Sequence, residues 1–411
     1  MRGGPLSPRA TLMSRKATVA LAAVALFGAS APTLANPSEY SDYCHLHPHK
    51  SYCWDRHYHA PRKHDQQGTI DIADCDQSND SDRSVRGCTR LIEKNPRDAV
   101  AYYNRGVAHD EKKDYDPAIA DYTRVIEIHP EAAVYSNRGY AYTHKRDYDR
   151  AFADYASAAA TDAGYADTYF NRGNAYDDIK DFDRAAAEYS KAIAIDPMSA
   201  DSYSDRGLAY AANGHYDRAI ADYGRALAID PHDAQAYDSR GGAYVGLGRY
   251  DDAIADFTKA IGLYPTHATA YEHRGYAQFY KGDFKDATAD MSRSLERNDS
   301  TYPMLFRFLA QSRIGENAIA SLKAGAGRLK TKEWPYPVIE LYLGRQGPDA
   351  ALKAASNDVE RCQAQFYIGE WNLLRKHFTE ATAALRAAAA NCPKTRLEYD
   401  GAAAEVKRLD R

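Results

Sequence analysis

The chain reads as an all-α, right-handed α-solenoid of helix hairpins, and three observations carry that reading. A phrase recurs six times: Tyr102-Tyr103-Asn104-Arg105-Gly106, Tyr135-Ser136-Asn137-Arg138-Gly139, Tyr169-Phe170-Asn171-Arg172-Gly173, Tyr203-Ser204-Asp205-Arg206-Gly207, Tyr237-Asp238-Ser239-Arg240-Gly241 and Tyr271-Glu272-His273-Arg274-Gly275. Its glycines stand 33, 34, 34, 34 and 34 residues apart, the mark of a tandem array. A second phrase keeps phase with the first, as in Asp183-Arg184-Ala185-Ala186-Ala187-Glu188-Tyr189-Ser190-Lys191-Ala192-Ile193, and Asp196-Pro197 follows it.

Each period therefore holds two helices. Tyr169, Gly173 and Tyr176 share one face of the first, and Ala185, Tyr189 and Ala192 share one face of the second. A glycine in mid-helix costs about 1 kcal/mol against alanine, so six of them need a packing reason. The expectation is that alanine faces tyrosine while glycine faces the backbone of the crossing helix. Proline ends the second helix at Pro197 and Pro231, because the residue before it is pushed out of the α region. These columns resemble the tetratricopeptide repeat in its Asn-Arg-Gly form, which implies stacked hairpins over residues 99–299.

Taken from the start, residues 1–35 hold Arg2, Arg9, Arg15 and Lys16, no acid, an apolar run from Ala17 to Ala29, and the small-residue exit Thr33-Leu34-Ala35. This is the pattern of a signal peptide, with translation beginning at Met1 or Met13, and the run is too short to span a bilayer. A mitochondrial transit peptide is the weaker reading. No cysteine follows the exit, so no lipid anchor is expected there, and a periplasmic or secreted protein without an integral membrane segment is. Loss of this segment takes four bases and no acid from totals of 53 and 57, leaving a net charge near −8. That balance disfavours nucleic acid as a partner.

Residues 36–64 form a Cys/His-rich arm with Cys44, His45, His47, His49, Cys53, His57, His59 and His64. Such ligands suit zinc or copper. The spacing matches no known finger, however, and in an oxidising compartment Cys44 and Cys53 would be bridged instead. No metal site and no cofactor is therefore expected, and metal binding or buffering by the arm stands as the alternative function.

Residues 65–98 form a degenerate capping repeat. Its Thr89-Arg90-Leu91-Ile92-Glu93 copies Thr123-Arg124-Val125-Ile126-Glu127, with Cys88 in the place of Tyr122. Cys75 falls in the column of Tyr176, which faces the Cys88 column across a hairpin, so a Cys75–Cys88 bridge is expected, worth about 3 kcal/mol in the loop-entropy model. The even cysteine count of an exported chain agrees with this.

The repeat decays over residues 300–361, where Pro303 to Arg313, Glu316 to Leu329 and Val338 to Leu343 still read as helices. It returns over residues 362–411, with Gly369, Ala381, Leu385 and Ala388 in register. Cys362 opens the first helix and Cys392 closes the second, ends that a hairpin brings together, so a second bridge is expected. The last helix lies near Glu398 to Leu409. The run Glu333-Trp334-Pro335-Tyr336-Pro337-Val338-Ile339-Glu340-Leu341-Tyr342-Leu343-Gly344 and Phe366-Tyr367-Ile368-Gly369-Glu370 resemble the C-terminal half of the new lipoprotein I family. That resemblance implies an envelope adaptor that delivers cell-wall hydrolases to a protease, and it brings no catalytic residue.

In every period the arginine is followed sixteen residues later by an acid: Arg105 and Asp121, Arg138 and Asp154, Arg172 and Glu188, Arg206 and Asp222, Arg240 and Asp256, Arg274 and Asp290. A ladder of ion pairs, within or between repeats, is expected, each exposed pair adding at most about 1 kcal/mol. A row of ligand-binding arginines is the alternative. The surface for partners is expected on the first helices, beside the core columns: Tyr103, Val107 and Asp110; Ser136, Tyr140 and Thr143; Phe170, Asn174 and Asp177; Ser204 and Leu208; Glu272, Tyr276, Phe279 and Tyr280. Aromatics mixed with acids suit a protein segment or peptide anchored by rings. The array lacks the basic set that clamps a C-terminal carboxylate, and no nucleophile elbow, phosphate loop or His-Glu-x-x-His is present. The sequence thus predicts an exported scaffold or adaptor for other proteins or peptides, not an enzyme, and a homodimer is compatible with it.

Overall fold

The computed structural model describes residues 66–410 apart from 77, 78, 298 and 395. The expected signal peptide, the His-rich arm and the Cys44–Cys53 bridge lie outside them. The described residues form 21 α-helices and no strand, so the all-α stack of hairpins is the fold observed. The chain divides into two compact units, Met1–Asn171 and Arg172–Arg411.

In the first unit, α1 (Gln66–Cys75), α2 (Ser81–Lys94), α3 (Ala99–Glu111), α4 (Tyr115–Ile128), α5 (Ala132–His144) and α6 (Tyr148–Thr161) each pack on the next, and α7 (Ala166–Asp178) begins there. Acidic N-caps start several helices: Asp80 accepts from the Arg83 amide, Asp98 from Ala101 and Asp147 from Arg150, each satisfying a donor that the first turn leaves open. Cys75 and Cys88 are bridged, with Cα atoms 4.6 Å apart, and both are buried in the first hairpin.

The second unit continues with α8 (Phe182–Ile195), α9 (Ala200–Ala212), α10 (Tyr216–Ile229), α11 (Ala234–Gly246), α12 (Tyr250–Leu263), α13 (Ala268–Lys281) and α14 (Phe284–Leu295). Beyond them lie α15 (Thr301–Arg313), α16 (Ala318–Ala326), α17 (Tyr336–Tyr342), α18 (Pro348–Lys353), α19 (Asp358–Leu374), α20 (Phe378–Asn391) and α21 (Leu397–Leu409). The short α18 has no counterpart in the sequence reading. Pro348 at its first turn and Ala350 to Lys353 account for it locally. Cys362 and Cys392 are bridged across α19 and α20.

The glycine column corrects one expectation. A Cβ on Gly106, Gly139, Gly173 or Gly207 would stand 2.6–2.9 Å from the ring of Tyr122, Tyr155, Tyr189 or Tyr223, and one on Gly241 equally close to Phe257. Glycine thus faces the aromatic side chain of the second helix, not its backbone. The rings are almost wholly buried, so glycine is what lets a hairpin hold a tyrosine at its crossing point.

All six arginine–acid pairs form inside their own hairpins. Five are bidentate, through Nε and Nη2 at 2.6–2.9 Å. Four of the guanidiniums also reach back to a hydroxyl on the preceding hairpin: Arg105 to Thr89, Arg138 to Thr123, Arg206 to Ser190 and Arg274 to Thr258, at 2.9–3.1 Å. The carboxylates are only 6–10% exposed, so these are not the solvent-exposed pairs the sequence reading assumed. Their guanidiniums are occupied within the fold, which removes the ligand-binding row.

Between the two helices of each hairpin one residue is left-handed: Lys113, Arg146 and Lys180, then Gly214, Gly248 and Gly282, with φ between 62° and 101°. Glycine enters this conformation freely, whereas the first three residues do so at a cost of about 1 kcal/mol.

Candidate functional site

The first unit presents the expected partner face on α3, α5 and the start of α7. Tyr103, Val107 and Asp110 are half-buried on α3, Tyr140 is half-buried on α5, and Phe170 is half-buried on α7. Asn174 and Asp177, also half-buried, belong to the part of α7 in the second unit.

Their local partners show why they stand there. The Tyr103 hydroxyl accepts from Asn137 Nδ2 at 3.1 Å, and its ring packs 6.1 Å from that of Tyr122. Tyr122 in turn donates to Asp110 Oδ2 at 2.7 Å. Burial pushes the Asp110 carboxyl up to about 7, against the opposing effect of that hydrogen bond. Tyr140 meets the His144 ring edge-on at 4.3 Å, and Tyr115 stacks on His144 at 5.1 Å. Burial lowers the His144 pKa, with Lys113 adding to the effect, so the imidazole is neutral near pH 7.

Several expected face residues are not on the surface. Thr143 is buried, its hydroxyl bonded to Gly139 O at 3.0 Å and 3.1 Å from the Tyr155 hydroxyl, so it belongs to the hairpin interior. Ser136 is likewise buried and accepts from Asn171 at 3.2 Å. Asn174 accepts from the Tyr189 hydroxyl at 2.7 Å. A short polar side chain on the first helix thus meets the hydroxyl of the crossing tyrosine in three successive hairpins, through Asp110, Thr143 and Asn174.

The largest correction falls on α13. Tyr276, Phe279 and Tyr280 are 3%, 0% and 3% exposed, while Glu272 is half-buried and accepts from the Tyr276 hydroxyl at 2.7 Å. Phe306 of α15 packs against Tyr276 at 4.7 Å and Phe279 at 5.1 Å, and Phe366 of α19 lies behind it at 5.8 Å. The chain's last helix then closes over them. Tyr280 donates to Leu397 O at 3.0 Å, and Arg408 Nη2 donates to the Phe279 and Tyr280 carbonyls at 3.0 and 2.6 Å. Those carbonyls lie in the last turn of α13, where the helix dipole favours a cation. Gly401 lets α21 approach: a Cβ there would be 2.8 Å from Phe366 and 3.4 Å from Tyr280. Beneath, Arg313 bridges Glu370 at 2.8 Å and Glu405 at 3.3 Å, and burial raises Glu370 to about 7.

Sequence reasoning missed Asn137, Tyr115 and His144 as parts of the first unit's face, whereas Tyr122, read as core packing, is buried as expected. Asn137 and Asn171 sit in the repeated phrase, and the 34-residue period would have placed each beside the preceding hairpin's Tyr103 or Ser136. Among the described residues no group of three or more His, Cys, Asp or Glu could hold a metal ion, and no helix is long and apolar enough to cross a membrane.

Models of the tetratricopeptide repeat match residues 99–131 and 207–274, and a further repeat model of the same kind matches residues 178–214. No curated protein matches the chain. Among solved structures, the protein MamA is 30% identical over 40% of this chain and 91% of its own, with a TM-score of 0.37. A tetratricopeptide repeat protein from Parabacteroides merdae is 17% identical over 60% of this chain and all of its own, at 0.45. YrrB, a TPR protein with an unusual peptide-binding site, is 19% identical over 53% of this chain and 96% of its own, at 0.35. The chain is a tetratricopeptide repeat protein. Such proteins are generally non-enzymatic scaffolds, and this fold suits a role in protein interaction.

Proposed function

We propose that the chain is an exported adaptor that holds a segment of a partner protein on the face formed by α3, α5 and the start of α7, in the service of cell-envelope maintenance. One observation carries the reading. Tyr276 occupies in α13 the place that Tyr140 occupies in α5, four periods earlier; there Phe306 of α15 packs on Tyr276, and α21 reaches the same helix at Phe279 and Tyr280. The molecule itself supplies an example of what this face accommodates: a helix seated on rings and tied by hydrogen bonds to its backbone. Tyr103, Tyr140 and Phe170 remain half-buried, an incomplete version of the same seat. Export and the envelope rest on the character of residues 1–35 and on the new lipoprotein I resemblance of the C-terminal half.

The test compares affinity capture from envelope extract by the wild type and by Tyr140→Ala combined with Phe170→Ala. Circular dichroism confirms that the variant folds. Partners held by wild type should be lost from the variant, and the same partners recovered from both would overturn the assigned face.

A further inference from the structure

The residue just before the repeated arginine makes joints between successive first helices. Asn137 Nδ2 of α5 donates to the Tyr103 hydroxyl of α3 at 3.1 Å, and Asn171 Nδ2 of α7 donates to Ser136 Oγ of α5 at 3.2 Å. Both joints link neutral groups. In the same two columns of the second unit α13 carries His273 and α11 carries Asp238. His273 Nδ1 stands 3.0 Å from both carboxylate oxygens of Asp238. Asp238 is 7% exposed, and among the described residues this imidazole is its one hydrogen-bond and ion-pair partner. The His273 side chain is 38% exposed, so water reaches the ring and can exchange its proton. A buried carboxylate is costly unless it is paired, and here the counter-charge exists only while the imidazole is protonated. The neutral ring can still donate one hydrogen bond from Nδ1, without the charge.

We propose that His273 and Asp238 form a pH-sensitive clasp between α11 and α13, an ion pair when the imidazole is protonated and a weaker neutral hydrogen bond when it is not. The clasp is a joint of the second unit and is independent of the partner face on the first. Burial works to drive the proton off His273, but Asp238 of α11 and Glu272 beside it on α13 outweigh that effect, and the imidazole pKa is raised. The other elements against α13 bring no competing charge to the ring. α12 presents Phe257, 5.7 Å away, and its Asp256 is held by Arg240. Asp290 of α14 is held by Arg274, and Arg313 of α15 is engaged by Glu370 and Glu405. On α21, Arg408 bonds the Phe279 and Tyr280 carbonyls, Glu398 accepts from Gln363 and Tyr367, and Asp400 acts on Tyr280. Because the pKa is raised on folding, the clasp contributes fully below the unfolded value and its contribution is lost as pH rises through the folded one.

The experiment follows the full chain, labelled with 13C at histidine Cε1, through a pH titration by NMR. The His273 resonance is the one missing from His273→Asn, a substitution that restores the residue found at Asn137 and Asn171. His273 should titrate above the ordinary value of 6.5, and its pKa should drop in Asp238→Asn, which keeps an acceptor and removes the charge. If His273→Asn does not fold, the resonance is found as the one that Asp238→Asn moves. Amide protection factors next to Asp238 in α11 and His273 in α13 read the joint itself. Their ratio between wild type and His273→Asn should fall about two- to fivefold from pH 5.5 to pH 8.5, the range of a partly exposed ion pair. A His273 pKa at or below 6.5, histidine titrations that Asp238→Asn leaves unmoved, or the same pH slope of protection in wild type and His273→Asn would overturn the clasp.

Discussion

The α5 hairpin of the first unit and the α13 hairpin of the second carry the same arginine–acid pair, the same glycine and the same tyrosine beside it, yet they end in opposite conditions. Tyr140 meets the His144 ring edge-on and is half-buried. Tyr276 meets the rings of Phe306 and Tyr280 and is 3% exposed, so the face is closed. The difference is made by what the chain adds later: Phe306 of α15 against Tyr276 and, more than a hundred positions further on, Leu397 and Arg408 at Tyr280. A repeat's own sequence fixes its hairpin, while its exposure is fixed by whatever else the chain brings to it.

The strongest way to break this comparison is to remove what holds the closed face. Arg313→Met leaves Glu370 buried without its cation, and Glu405 with Arg408 alone, and should cost about 3–5 kcal/mol in urea unfolding of the second unit, while hydrogen exchange in α3 to α6 stays unchanged. Loss of protection in the first unit as well would show that the two conditions are not independent.

Next in size is filling the glycine column. Gly173→Ala places a methyl 2.6 Å from the Tyr189 ring and should cost about 1–3 kcal/mol, and Gly275→Ala less, because Met291 can bend away where a ring cannot. Equal costs in thermal melts would remove the distinction between a rigid and a yielding neighbour.

The pH response sharpens the comparison further. Burial raises Glu370 above its unfolded value, so the folded state binds more protons than the unfolded between about 4.5 and 7. Stability of the α13–α21 contact is therefore greatest below the unfolded pKa and falls as pH rises through 7. Amide protection in α21 should be higher at pH 5 than at pH 8, and Glu370→Gln should reduce that dependence without abolishing it, since burial also raises Asp400 of α21 to about 7. The opposite slope would contradict the buried, incompletely paired carboxyl described above.

The smallest effect is a gain. Arg146→Gly relieves a left-handed arginine and should raise stability by up to about 1 kcal/mol, read as a higher melting temperature, whereas Gly214→Ala should lower it.

The hairpins were legible because their signals are local and repeated: columns at fixed spacing, an arginine with its acid, a proline stop. The cysteine pairs Cys75–Cys88 and Cys362–Cys392 were legible for the same reason, since the period itself brings their columns together. The status of Tyr276, Phe279 and Tyr280 was not, because a helical face looks alike whether water or α21 lies against it. Thr143 misled for a related reason: it shares Asp110's column, but only the structure shows it bonded to Gly139 and beside Tyr155. The role of glycine was half-seen, as close approach was inferred and the approaching atom was not.

Thr89, Thr123, Ser190 and Thr258 each receive an arginine from the following period, and the corresponding residue before Arg240 is Gly224, which offers none. A duplicated period carries its fastening with it, so the array can lengthen or shorten by whole units without any new joint being invented. Where a link lacks its clasp, as at Gly224, the hydrogen bond between Tyr223 and Ser239 joins the two hairpins in its stead.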